Sequence, residues 1–285
     1  GEKGNVSATF NFQAGAEVAG ANHLVSFEAG LRENMVPQDA TAVVESANLA
    51  ELVVDFESFL LEHQLGGQVQ LQGNQATFSL IGKAAHGSTP SKGVNAATFL
   101  AKYLHRFEFD RAGAESFLHL LADHLHQDFE GVNLGVAHRD PVMQELTMNV
   151  GLVNYRDDKG GSIVANFRYP KGTDPEKMAA QTAQRLAGHD LSVEWGEFKE
   201  PHYVSVDDPM VKELLAVYEE QTGLEGHEMT IGGGTYGRLM PRGVAYGALF
   251  PDSIDTMHQA NEFIAIDDLL KATAIYAEAI YRITR

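Results

Sequence analysis

His86 lies in Gly82-Lys83-Ala84-Ala85-His86-Gly87-Ser88-Thr89-Pro90, between a strand-like and a helix-like run, where an imidazole can face a ligand instead of a core. A surface histidine would look the same in sequence. His258 occupies a comparable place in Asp255-Thr256-Met257-His258-Gln259-Ala260-Asn261-Glu262. Asp255 and Glu262 could orient it as a metal ligand, or the stretch could simply be an acidic loop that carries a histidine. The 285 residues include no cysteine, so any metal must be held by imidazoles and carboxylates. Gly232, Gly234 and Gly237 have the spacing of a dinucleotide-binding fingerprint, which needs a helix directly after it. Pro241 and the strand-like run Gly243 to Phe250 leave no room for one, and no Gly-Lys-Ser/Thr follows. What remains is a run of backbone N–H groups without side-chain cover, suited to a carboxylate, although a tight turn would account for one or two of the glycines.

His119 and Asp123 are four residues apart, and His124 and His126 follow. These four could ligate a metal, but the leucines between them favour a helix with one core face and one solvated polar face. His138-Arg139-Asp140 resembles a kinase catalytic tripeptide, yet no other kinase element is present.

The elements that must position these groups follow from periodicity. Period-2 runs predict strands at Val6 to Phe12 and His23 to Leu31, and a hairpin of Val69 to Leu71 with Ala76 to Lys83 around Gly73-Asn74. Helical spacing predicts Asn48 to His63, Asn95 to Phe107 and Ala114 to Gln127. The second half repeats the order in outline: strands Leu146 to Tyr155 and Ser162 to Tyr169, a helix Pro175 to Ala187, then strands Leu191 to Phe198 and His202 to Val206. Each half reads as strand, proline-bearing loop, helix and two strands, a pseudo-duplicated α/β unit. After Asp207 come a helix Pro209 to Gln221, a strand Met229 to Ile231, the glycine loop, a strand Val244 to Phe250 and a closing helix Asp267 to Ile283. So small a tail reads as part of a domain whose remainder lies elsewhere.

Asp plus Glu number 39 against 21 Lys plus Arg, a net charge of −18, which disfavours nucleic acid and anionic membranes as partners. Apolar residues make up 44%, enough for a sizeable core. No apolar run approaches the ~20 residues of a membrane helix and no signal segment opens the chain, so a soluble, cytoplasmic protein is expected. Gly1-Glu2-Lys3-Gly4 runs straight into a strand-like segment, as in a chain that starts within a larger protein.

Five segments in order carry a specific resemblance. Ala29 to Pro37, Gly82 to Pro90 continuing into Gly93-Val94-Asn95-Ala96-Ala97, Asn166-Phe167-Arg168-Tyr169-Pro170, Gly232-Gly233-Gly234-Thr235-Tyr236 and Asp255-Thr256-Met257-His258-Gln259 resemble the bacterial dipeptidase V group. These are carnosinase-like dipeptidases with two zinc ions. The resemblance implies an α/β protein: an α+β lid of two similar halves, residues 1–206, attached to a C-terminal piece of a zinc-aminopeptidase-like catalytic domain, residues 207–285. It implies that His258 is a zinc ligand and that His86 stabilises the tetrahedral intermediate. Asn34 and Arg168, from matching places in the two lid halves, would contact a dipeptide substrate. Gly233 and Gly234 would offer N–H groups to its terminal carboxylate, with Arg238 as a helper.

The family's remaining metal ligands and its general-base Glu have no substitute here. His138-Arg139-Asp140 falls within lid sequence and Glu219-Glu220 falls on an amphipathic helix. The chain is therefore expected to lack the N-terminal part of the catalytic domain, to hold neither zinc nor manganese tightly by itself, and to be inert alone. Metal-dependent dipeptide hydrolysis is the expected activity of the intact enzyme. Hydrolysis of N-acyl amino acids is the alternative within the fold, and a non-catalytic peptide-binding module is the alternative outside it.

Overall fold

Alternation with period 2 places Val6, Ala8, Phe10 and Phe12 on one face of the first strand, β1 (Gly4–Phe12), and all four are buried. The computed structural model describes residues 1–247, 249–254, 256 and 261–285. Contacts divide the chain into two compact units, Lys3–Pro201 and a second made of Gly1–Glu2 with His202–Arg285.

In the larger unit β1 is followed by β2 (Asn22–Ala29), β3 (Asp39–Ser46), α1 (Leu49–His63), β4 (Gly66–Gln72) and β5 (Gln75–Ile81). Next come α2 (Ala96–Leu104) and α3 (Ala112–His119), which runs into a π-helical turn, Leu120–Leu125. A two-residue ladder, β6 (Arg139–Asp140) with β7 (Gln144–Glu145), precedes β8 (Thr147–Arg156), β9 (Gly160–Tyr169), α4 (Pro175–Arg185) and β10 (Leu191–Trp195). Eight strands form one sheet in the order β10-β1-β9-β8-β2-β3-β5-β4, with every neighbouring pair antiparallel.

That order contains two four-stranded halves, β2-β3-β5-β4 with α1 and β8-β9-β1-β10 with α4. They meet where β2 pairs with β8, from Ser26 opposite Arg156 to Ala29 opposite Val153. The duplication therefore differs from the order expected along the chain. β1 completes the second half, in the place that β5 holds in the first, and β3 is an additional strand. Periodicity identifies a strand but not its pairing partner. β3 hides in the sequence because its buried positions include Ala40 and Ala42, which carry little hydrophobic contrast. Helices fill the core against the sheet: Phe56, Phe78 and Tyr103 meet with centroids 4.8–5.6 Å apart, and Phe117 lies edge-on to Phe12 and Phe27.

The smaller unit contains α5 (Pro209–Thr222), a short 3-10 turn at Tyr236–Leu239 and α6 (Ile266–Ile283). Asp208 caps α5 through Met210 N–H, and Gly223 ends it in the left-handed region at φ 71°. Its core is small: Leu214, Val217, Ile275 and Ala279, with Val244, Tyr246 and Phe250 packed at its edge. The strands expected at His202 to Val206, Met229 to Ile231 and Val244 to Phe250 do not form among the described residues. His202 and Ile231 make only isolated bridges to Glu2. A strand needs a ladder to satisfy its N–H and C=O groups, and a bridge supplies one rung. Among the described residues no helix is long and apolar enough to cross a membrane.

Candidate active site

The His86 loop is closed at its neck by reciprocal bonds between Lys83 and Val94, both 2.9 Å. Asn95 fastens its exit: Oδ1 accepts from Ala97 and Thr98 N–H to cap α2, while Nδ2 donates to Val150 O of β8 at 2.8 Å. Within the loop Val36 N–H donates to Ala85 O at 2.9 Å and Gly87 N–H to Asn34 O at 2.7 Å, so His86 and Met35 form a bridge. Gly87 is required at that approach, since a Cβ there would lie 2.9 Å from Asn34 O.

The His86 ring is exposed and its Nδ1 is engaged on the loop itself. Ser88 N–H donates to it at 3.1 Å and Ser88 Oγ lies at 2.7 Å. A backbone N–H can only donate, so Nδ1 accepts, and the neutral ring carries its proton on Nε2. The loop thus fixes the tautomer of the His86 ring.

Asn34 is half-buried, and the backbone on either side of it is pinned by Asn149, whose Nδ2 donates to Glu33 O at 2.9 Å and to Met35 O at 3.0 Å. Arg168 is 8% exposed and stands opposite Thr147 in the β8–β9 ladder. Its Nε donates to Asn166 Oδ1 at 2.8 Å. Asn166 Nδ2 in turn donates to Asn5 Oδ1 at 2.8 Å and Ser7 Oγ at 2.9 Å, and Ser7 Oγ donates to Glu33 Oε2 at 2.7 Å. Thr147 Oγ1 reaches Ser88 O at 3.4 Å.

Asn34, His86 and Arg168 are thus linked within the Lys3–Pro201 unit by one polar network. They do not come from equivalent places in its halves: Asn34 is in the β2–β3 link and Arg168 near the end of β9. The antiparallel β2–β8 seam carries the link alongside β8. Sequence reasoning missed Asn149 and Asn166, each 1% exposed, which hold the network together. Asparagine inside an apolar strand was the available signal, because it is depleted there unless its amide is bonded.

In the smaller unit the glycine loop leads into Thr235, whose Oγ1 accepts Gly237 N–H at 3.0 Å and caps the 3-10 turn. The carboxylate of Glu2, 3% exposed, accepts Thr235 N–H at 3.0 Å and the Thr235 hydroxyl, and lies 3.4 Å from Arg238 Nε. A carboxylate of the chain itself therefore uses the N–H and guanidinium groups at the end of this loop. A Cβ on Gly233 would meet nothing within 4 Å, while one on Gly234 would meet Arg238 Nη1 at 2.8 Å. Among the described residues nothing would contact a Cβ on Gly233, and Gly234 lies against Arg238. His258 and Asp255 lie outside the described residues. Glu219 accepts Gly226 N–H and Glu220 pairs with Arg282, and Asp140 caps the turn at Val142 and Met143, so these motifs serve the fold.

The chain matches peptidase family M20/M25/M40 over residues 1–282. It is 43% identical over 286 residues to the Beta-Ala-Xaa dipeptidase of Lactobacillus delbrueckii subsp. lactis, which covers 100% of this chain and 60% of that protein. With YtjP of Bacillus subtilis (strain 168) it shares 39% identity over 264 residues, 92% of this chain and 56% of that protein. Among solved structures, an M20 family metallo-carboxypeptidase from Sulfolobus solfataricus aligns over 98% of this chain and 58% of that one, with 17% identity and a TM-score of 0.43. The chain spans 60% and 56% of the lengths of the two curated relatives.

Proposed function

The chain belongs to peptidase family M20/M25/M40, and on that premise we propose that it is part of a cytoplasmic, metal-dependent dipeptidase. Residues 1–206 act as its lid and residues 207–285 as part of its catalytic domain. The observation that carries the reading is the fixed tautomer of His86, with its N–H on Nε2, on a loop tied at both ends and networked to Arg168 and Asn34. Such a donor suits the oxyanion that develops when a peptide carbonyl is attacked. Arg168 and Asn34 orient the dipeptide, and the N–H groups of Gly233 and Gly234, with Arg238, take its terminal carboxylate.

His258 would be one ligand of zinc or manganese in the intact enzyme, where the metal would serve to activate water. Among the described residues of the smaller unit no three ligand groups converge. The other ligands and the general base belong to parts of the protein outside this chain, which alone is inert toward dipeptides. The lengths of the relatives support that division. So does the uncovered apolar surface of the smaller unit, where Tyr236, Leu239, Ile254, Ile266 and Leu270 are all more than 60% exposed.

The test is to assay the intact enzyme on a dipeptide, on the same dipeptide as its C-terminal amide, and on an N-acetyl amino acid. Turnover of the free dipeptide alone is expected. Equal turnover of the amide refutes the carboxylate site, and preference for the N-acetyl amino acid refutes the dipeptidase assignment.

A further inference from the structure

In sequence His119, Asp123 and His124 read as the solvated face of a helix. The fold brings two more histidines to them: His105, just past α2, and His189, in the link between α4 and β10. One ligand atom from each of His119, His124 and His189 lies within 4.8 Å of the others, and the same holds for His105, His119 and Asp123. The His119 and His189 rings stack with centroids 5.1 Å apart, and His124 stands edge-on to His189 at 5.1 Å and to His119 at 5.4 Å. All three are half-buried. Asp123 Oδ2 lies 3.1 Å from both His119 Nδ1 and His105 Nε2, and its Oδ1 lies 3.1 Å from Lys102 Nζ.

We propose that His119, His124 and His189 form a binding site for a borderline divalent transition-metal ion of the Zn²⁺ class, on the outer side of the Lys3–Pro201 unit. None of these residues belongs to the set assigned to dipeptide hydrolysis. With Nδ1 of His119 held by Asp123, its Nε2 is the ligand atom, the carboxylate–histidine–metal arrangement that fixes a ring for coordination. Three imidazole nitrogens select zinc, cobalt, nickel or copper over magnesium and calcium, which prefer oxygen. Zn–N bonds of about 2.0–2.1 Å in a tetrahedron place the nitrogens roughly 3.3 Å apart. Small rotations of half-buried rings close that gap, and water completes the shell.

One feature separates this cluster from chance proximity. The π-helical turn Leu120–Leu125 carries Asp123 and His124, and such widened turns are frequent at functional sites. A bound ion would join the end of α3 to the α4–β10 link.

The 285-residue chain, stripped by chelator, is titrated with Zn²⁺, with Co²⁺ as an optical reporter and Mg²⁺ as control. One equivalent of zinc should bind, Co²⁺ should give the strong visible absorption of a four-coordinate nitrogen site, and Mg²⁺ should not compete. H124Q and H189Q should each weaken zinc binding by more than about 100-fold and D123N by about 10–100-fold, while H258Q leaves this equivalent unchanged. Because an unfolded variant would also lose metal, histidine acylation mapped by mass spectrometry on the unmutated chain gives a second readout: zinc should protect His119, His124 and His189. Absence of bound zinc, unaltered affinity in H124Q and H189Q, or no protection of these three histidines overturns the proposal.

Discussion

Replacing His86 by alanine separates a reaction-specific donor from a structural residue. In the folded loop the Nδ1 of His86 accepts Ser88 N–H at 3.1 Å, which places the N–H of the ring on Nε2. The ring is exposed, so His86→Ala leaves Ser88 N–H to water and removes little packing. Stability should change by less than about 0.5 kcal/mol, as for a surface substitution. Loss of an oxyanion donor is another matter: such donors are worth about 10²–10³ in kcat, roughly 2.7–4 kcal/mol. In the intact enzyme His86→Ala should therefore lower kcat by about 10²-fold or more with KM changed much less, the signature of an interaction made in the transition state. Ser88→Ala keeps the backbone N–H that fixes the tautomer, and kcat should fall only a few-fold. The assay is steady-state dipeptide hydrolysis with thermal unfolding in parallel. An unchanged kcat in His86→Ala, or a loss that tracks a fall in Tm, refutes the reasoning.

Asn166→Ala deprives buried Arg168 of the acceptor at 2.8 Å and Asn5 of its donor. It should cost about 1–3 kcal/mol of stability and raise KM more than it lowers kcat, measured by denaturant melts and kinetics. His23 has Nδ1 2.8 Å from Asp110 and Nε2 3.1 Å from Asp157. Burial opposes its charge, but the two carboxylates outweigh it and raise its pKa in the folded state. That stabilisation is complete below the unfolded value of about 6.5 and is lost as pH rises through the higher folded value, so Tm should fall across that window in the wild type and less in His23→Gln. Parallel curves would show that the pair does not couple to folding. Gly30 has φ +85° and a Cβ there would lie 1.9 Å from Gly151 O, whereas Gly73, at φ +65°, has nothing within 4 Å. Gly30→Ala should therefore cost well over the ~1 kcal/mol of a left-handed alanine, clearly more than Gly73→Ala in the same melt.

The loop around His86 was legible because its glycines, its proline and the capping Asn95 each impose a local geometry that short-range chemistry predicts. The helices were legible from apolar spacing, and Pro175 and Pro209 mark first turns because proline lacks only an N–H that would go unused there. Pairing was not legible. Nothing local in Val6 to Phe12 shows that it completes a half whose other strands begin at Thr147, because that is decided by which edge remains open once β8 and β9 have formed. The His105–His189 neighbourhood was hidden for the same reason, its members being brought together by the packing of α2, α3 and the α4–β10 link. The three strands expected in and beside the smaller unit failed differently. Their apolar alternation is real, but alternation stabilises a strand only when a partner backbone is available, and for His202 and Ile231 the partner is the single residue Glu2.

If His86 has the proposed role, the architecture of the larger unit explains how a loop could supply the donor. A free loop bearing His86 would lose conformational entropy on meeting the transition state, at about 1–2 kcal/mol per residue fixed. Several ordered residues would cancel the 2.7–4 kcal/mol that such a donor provides. Here the ordering is done at folding: the Lys83–Val94 neck, the Asn95 cap and the Gly87–Asn34 and Ala85–Val36 bonds fix the backbone, and Ser88 fixes the ring. The β2–β8 seam then sets the β2–β3 link along β8, where Asn149 pins it on both sides of Asn34. Loosening any one of these ties should reduce kcat although none touches substrate, and the loss should be largest for Asn149, the only side chain among them that anchors the link. Asn149→Ala should therefore reproduce part of the kcat defect of His86→Ala in an enzyme whose His86 is intact. If kcat is unchanged while Tm falls, rigidity of the link is a matter of stability alone, and the donor does not depend on it.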